Sequence, residues 1–140
     1  MIDKNTGKLT FYSGKNIFPT AELSEIKALK LSAVQEEQDW GNGWIHYTIR
    51  NVDVSGIYFN MTFFYHEKTL KSISFIIKDS PFDMDTGWET WGEQREKEKA
   101  EFYNDWLNKE LGTDRNFAWG TIRATYDPKS AGSSIVIRYK

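Results

Sequence analysis

Between Trp44 and Lys78 the chain alternates apolar and polar residues with a period of two through three consecutive runs. Successive strand residues point to opposite faces, so this pattern specifies half-buried strands. Ile45, Tyr47 and Ile49 share one face of the first run, opposite Trp44, His46, Thr48 and Arg50. Ile57, Phe59, Met61, Phe63 and Tyr65 share a face of the second, and Ile73, Phe75 and Ile77 of the third. Three-residue loops at Asp53–Ser55 and Glu67–Thr69 pair Ile45 with Phe63, Tyr47 with Met61 and Ile49 with Phe59. They pair Phe63 with Ile73, Met61 with Phe75 and Phe59 with Ile77. A slip of one residue would turn every apolar side chain to water. The expected centre of the fold is therefore a three-stranded antiparallel meander.

The flanking segments add to it. Leu9–Tyr12 reads as a short strand after the Asn5-Thr-Gly7 turn, and Pro19-Thr20 opens a short helix to Leu29 with Thr20 as N-cap. Leu29 and Leu31 fit the start of a strand equally well. Gln35–Asp39 and Gly41–Gly43 read as a loop. Thr86-Gly-Trp-Glu89 has capping-box spacing, which predicts a long helix from Thr86 to Leu111, stopped at Gly112. Its apolar stripe is Trp88, Trp91, Phe102, Tyr103, Trp106, Leu107 and Leu111, and the polar stretch Glu93–Lys99 is expected to protrude past the sheet. Gly120–Asp127 and Ser134–Lys140 form a closing hairpin around a turn at 127–133. The expectation is a single α+β domain over residues 1–140: a mainly antiparallel sheet, meander plus C-terminal hairpin, packed against one long helix.

Composition removes several classes of function. The 140 residues hold no Cys, which excludes disulfides, thiolate metal sites and a cysteine nucleophile. Eighteen basic and 20 acidic residues leave a net charge of −2, spread evenly along the chain. That balance offers no electrostatic footprint for nucleic acid or an anionic membrane. No apolar run approaches the roughly 18 residues of a membrane span, and the polar N-terminus lacks the apolar core of a secretory signal. A cytoplasmic location is expected.

The motifs are few. Asp83-Met-Asp-Thr-Gly87 starts like a calcium loop but has Trp88 at position 6 and Gln94 at position 12, so no metal site is expected. His46 and His66 fall on the outer face of the meander beside Tyr58, Thr62 and Ser72, a setting open to acid–base chemistry or to a small ligand. Neither belongs to a recognisable catalytic motif, and no carboxylate is expected on that face. No cofactor motif is present. If Tyr126 pairs with Ile135, Arg123 and Arg138 stand opposite one another, which requires an acid between them. That acid comes either from the helix, at Glu98 or Asp105, or from an acidic partner. Most of the 22 aromatic residues sit at core positions. The surplus is Trp40, Trp44, Phe64 and Trp119: an interface or a sugar-stacking cluster on one reading, packing under the N-terminal segment on the other.

The closing stretch from Trp119 to Lys140 resembles the final hairpin of small bacterial proteins of the immunity type, the partners of toxins. The resemblance covers about a sixth of the chain and implies binding to another protein, with no functional residue to carry over. The expected function is that of a non-enzymatic protein-binding or inhibitory protein, using Trp40, Trp44, His46, Arg50, Phe64, Arg123 and Arg138. A small-ligand or enzymatic site at His46 and His66, and a carbohydrate site at Trp40 and Trp44, are the alternatives.

Overall fold

The computed structural model describes residues 1–11, 14–79, 81, 93–127 and 132–140; the side chains of 93–97, 125–127 and 132 lie outside that description. The fold is α+β. Strands β3 (Gln35–Asp39), β4 (Trp44–Val54), β5 (Ile57–His66), β6 (Thr69–Lys78), β7 (Asn116–Phe117), β8 (Gly120–Asp127) and β9 (Gly132–Tyr139) form one sheet. Their order is β3-β4-β5-β6-β9-β8-β7, and every pairing is antiparallel. Strands β1 (Leu9–Thr10) and β2 (Asn16–Ile17) make a separate pair. The helices are α1 (Leu23–Ala28) and α2 (Glu93–Leu111), and no described helix is long and apolar enough to cross a membrane.

The β5–β6 register is the expected one, with Phe63 opposite Ile73, Met61 opposite Phe75 and Phe59 opposite Ile77. The β4–β5 register differs by two residues: Ile45 pairs with Tyr65, Tyr47 with Phe63 and Ile49 with Met61. The cause is turn chemistry. Both turns have two residues rather than three, Ser55-Gly56 and Glu67-Lys68, with φ of 54°, 86°, 49° and 70°. Two successive positive φ values make a type I′ turn, whose twist matches the strands it joins. Each hairpin then takes up a bulge, at Arg50-Asn51 in β4 and at Lys71 in β6. A bulge inverts the side-chain phase. Ile45, Tyr47 and Ile49 face inward before it, and Val52, buried to 1% exposure, faces inward after it. Asn51 adopts φ 53° there, and its amide donates to Asn60 Oδ1 at 2.8 Å.

The closing hairpin is also shifted by two residues from expectation. Ile122 pairs with Ile137, Ala124 with Ile135 and Tyr126 with Ser133. Of the expected turn 127–133, Asp127 ends β8 and Gly132 and Ser133 open β9, so β9 runs further than expected; residues 128–131 lie outside the described residues.

Beneath the sheet, α2 presents Tyr103, Leu107 and Leu111 at helical spacing to Ile122, Ile135 and Ile137, all within one buried cluster. Trp106 sits edge-on to Phe59 and Phe75, with centroids 5.7 and 6.0 Å away. Phe102 departs from the expected stripe and is 41% exposed, because it lies one residue round the helix from Tyr103. The expected capping box at Thr86, together with Asp83, Asp85, Trp88 and Trp91, lies outside the described residues.

The N-terminal segment covers the rest of the inner face with Leu9, Phe11, Ile17 and Ile26. Tyr65 Oη donates to the Ala21 carbonyl at 2.7 Å. Trp119 stacks on Phe117 at 5.1 Å and donates through Nε1 to the Lys4 carbonyl at 2.8 Å, so this indole of the surplus is packing. Thr20 does not cap α1; Glu22 stands at that position without a side-chain bond, and the helix has only six residues. Gln35–Asp39 is a strand rather than a loop. Its residues have no apolar pattern, and tertiary contacts hold them: Tyr47 Oη donates to Gln35 Oε1, and Lys27 pairs with Glu37.

Candidate functional site

With α1, α2 and the N-terminal strands on one face of the sheet, no described element packs across the other. Strand pairing defines what that outer face presents. One row runs Gln38, His46, Phe64, Ser72, Arg138 and Thr121 from β3 to β8. The next runs Glu36, Thr48, Thr62, Ser74, Val136 and Arg123. The ring-bearing and hydroxyl residues of both rows are half-exposed, while Arg123 and Arg138 are exposed.

At the β3–β5 end the rings converge. His46 meets Phe64 edge-on at 4.5 Å, Trp40 meets His46 at 5.5 Å, and Trp44 lies 6.4 Å from His46 and 4.7 Å from His66. Trp40 reaches this cluster because β3 is a strand: the Trp40 amide donates to the Trp44 carbonyl at 3.0 Å and closes the hairpin that positions both indoles. Trp40 remains 56% exposed, the most open of the large apolar side chains among the described residues. Edge-on ring pairs of this kind contribute about 0.5–1.5 kcal/mol each, enough to hold the cluster in one arrangement. His66 was legible as an outer-face residue, but its packing on Trp44 was not.

The middle of the face is a field of small hydroxyls, where Thr48 and Thr62 share a hydrogen bond at 3.0 Å. Arg50 sits at the bulge, with Nη2 3.6 Å from Glu36 Oε2 and its backbone carbonyl accepting from Ser32 Oγ. It lines an open groove of about 590 Å³ with Leu31, Ser32, Val34, Asn51 and Asp53; neither histidine is part of that lining. The expectation of a face without carboxylates is overturned. Formation of β3 brings Glu36 onto it, opposite Thr48, and the β4 bulge turns Asp53 outward, opposite Tyr58.

Arg123 and Arg138 are not opposite one another. Arg123 pairs with Val136 and Arg138 with Thr121, which makes the two arginines diagonal neighbours on one face. The like-charge conflict inferred from direct pairing is therefore relaxed by register. Glu98 and Asp105 belong to α2, on the opposite side of the sheet, and supply no acid between them. Neither arginine has an ion pair among the described residues. By ladder position the outer face carries Lys78, Arg123 and Arg138, joined at the bulge by Arg50, against Glu36, Asp53 and, at the end of β8, Asp127. The basic charge of this face that lacks an ion pair among the described residues is therefore concentrated at Arg123 and Arg138.

The outer face therefore joins Trp40, Trp44, His46 and Phe64 into one cluster, ties Arg50 to Glu36, and sets Arg123 and Arg138 apart at its far side. No family model, no curated protein and no solved structure matches this chain.

Proposed function

We propose that this chain is a non-enzymatic protein-binding domain that acts in the cytoplasm by occupying a partner's surface. Its contact region is the outer sheet face around Trp40, Trp44, His46 and Phe64. The observation that carries this reading is the exposed Trp40 indole, held at the rim of an ordered ring cluster on a face that no described element covers. A rigid aromatic anchor contributes contact area at little entropic cost, which is why Trp and Tyr dominate the energetics of protein interfaces. The proposed division of labour has the meander and closing hairpin backed by α2, leaving the opposite face to the partner. The resemblance of residues 119–140 to immunity-type proteins supports an inhibitory form of this binding. A sugar platform draws on the same indole, but Trp44 is partly covered by His66 at 4.7 Å, so one ring rather than a pair is open for stacking.

The test is affinity capture with chemical cross-linking at native expression level in the encoding organism. The wild-type chain is expected to carry one stoichiometric protein partner, and Trp40→Ala to lose it. Recovery of the wild-type chain as a bare monomer overturns the proposal.

A further inference from the structure

Resting on the docking face just proposed, we infer that the partner presents an acidic protein surface in which an apolar anchor and a pair of carboxylates stand about 14 Å apart. The spacing follows from the sheet. The spacing is measured from His46 on β4, where the rings meet, to Arg138 on β9, the nearer of the two arginines. His46 and Arg138 share one row, separated by Phe64 and Ser72. Three strand-to-strand steps of about 4.8 Å give the separation of about 14 Å.

The chemistry follows from what each end lacks. Arg123 and Arg138 are exposed diagonal neighbours, and they have no ion pair among the described residues. Two guanidinium forks on adjacent strands match two carboxylates, each of which accepts paired N–H bonds. Between the ends, Thr48, Thr62, Ser72 and Ser74 raise nothing bulky, so one surface can touch both ends at once. A single-stranded nucleic acid fits this face less well. Such ligands need a basic track that follows the backbone and several open ring faces. Here Arg50 is engaged by Glu36, Asp53 adds a negative charge, and the centre of the face is neutral.

Defined probes test this without the natural partner. The full-length chain, labelled for amide NMR, is titrated with a hexapeptide of one phenylalanine, three glycines and two glutamates in that order. At about 3.3 Å per extended residue, it spans the required distance. A twin with lysines for glutamates and a short oligothymidylate are titrated in parallel. The acidic peptide is expected to shift the amides of both Phe64 and Arg138, with affinity falling about tenfold in the Arg123→Glu/Arg138→Glu variant. The Arg123→Gln/Arg138→Gln variant, with unaltered native amide dispersion, is expected to fall between the two. Equal or tighter binding of the lysine twin or of the oligothymidylate overturns the inference. Shifts confined to the ring cluster, insensitive to both arginine variants, overturn it while leaving the docking face intact. Shifts nowhere on the face at millimolar peptide remove both.

Discussion

Replacing Gly120 with alanine tests whether β8 is seated on β9 as described. Gly120 is buried, has φ 154°, and opens β8 opposite Tyr139. A Cβ built there lies 2.0 Å from the Arg138 carbonyl oxygen and 3.0 Å from both Arg138 C and Tyr139 Cα. Those atoms are backbone, so no side chain can rotate away, and the strands must part by about 1 Å or more. Parting them weakens the Gly120–Tyr139 and Phe117–Gly120 pairs and the bond from the Lys140 amide to the Trp119 carbonyl, 2.9 Å long. Two or three backbone hydrogen bonds at about 1 kcal/mol each, with a further strain of about 1 kcal/mol, give a loss of about 3 kcal/mol. With a urea slope of about 2 kcal/mol/M, the midpoint should fall by about 1.5 M at unchanged slope. Gly56→Ala is the control. Gly56 also has a positive φ, 86°, but nothing lies within 4 Å of its would-be Cβ, so conformational strain alone should cost about 1 kcal/mol. Equal midpoint shifts for the two variants, or a Gly120→Ala midpoint within about 0.3 M of wild type, would refute the seating of β8.

Other variants test the remaining layers. Leu107, fully buried between α2 and the sheet, should lose about 2–5 kcal/mol as Leu107→Ala in the same denaturation assay. Trp40→Ala, which removes one exposed edge-on pair with His46, should cost about 0.5–1.5 kcal/mol of stability, leaving the chain folded while abolishing partner capture. Burial pushes the Tyr65 and Tyr139 phenols above their ordinary value of 10.0, helped at Tyr65 by Glu25 and Glu22. The native state therefore keeps protons that the unfolded chain releases. Their contribution to stability is complete below pH 10 and declines as the pH rises beyond it, by up to about 1.4 kcal/mol per pH unit for a fully buried group. Tyr65→Phe should flatten that alkaline decline, read as urea midpoints between neutral and strongly alkaline pH; an unchanged pH profile would refute the assignment.

The meander was legible because its signal is local and redundant. Five apolar residues at alternate positions in Ile57–Tyr65 leave one inward face, and the β5–β6 pairs follow from it. The turns were less legible. Glu67 and Lys68 carry none of the glycine or asparagine preference of a type I′ turn, yet both adopt positive φ. The bulges did leave a trace, since Val52 and Leu70 are apolar on the wrong parity. A strict alternation reads them as exceptions; a bulge makes them core. Strand β3 left no trace, because Gln35–Asp39 is polar throughout and draws its order from Tyr47, Lys27 and Arg50. The candidate site inherits both outcomes. Parity alone places His46, Trp44 and Phe64 on one outward face, while the arrival of Trp40 and Glu36 depends on β3.

By itself, then, the sequence determined which side chains seek the interior, the antiparallel character of the sheet and the neutrality that disfavours a nucleic-acid groove. These depend on period and composition, which every segment carries within itself. Tertiary structure alone decided the register of β4 against β5 and of β8 against β9. It also set Arg123 diagonal to Arg138 and added an acidic edge strand beside the rings. Register is a relation between segments. A shift of two residues preserves every inward face, so hydrophobic burial barely distinguishes the alternatives, and turn geometry and bulges choose among them.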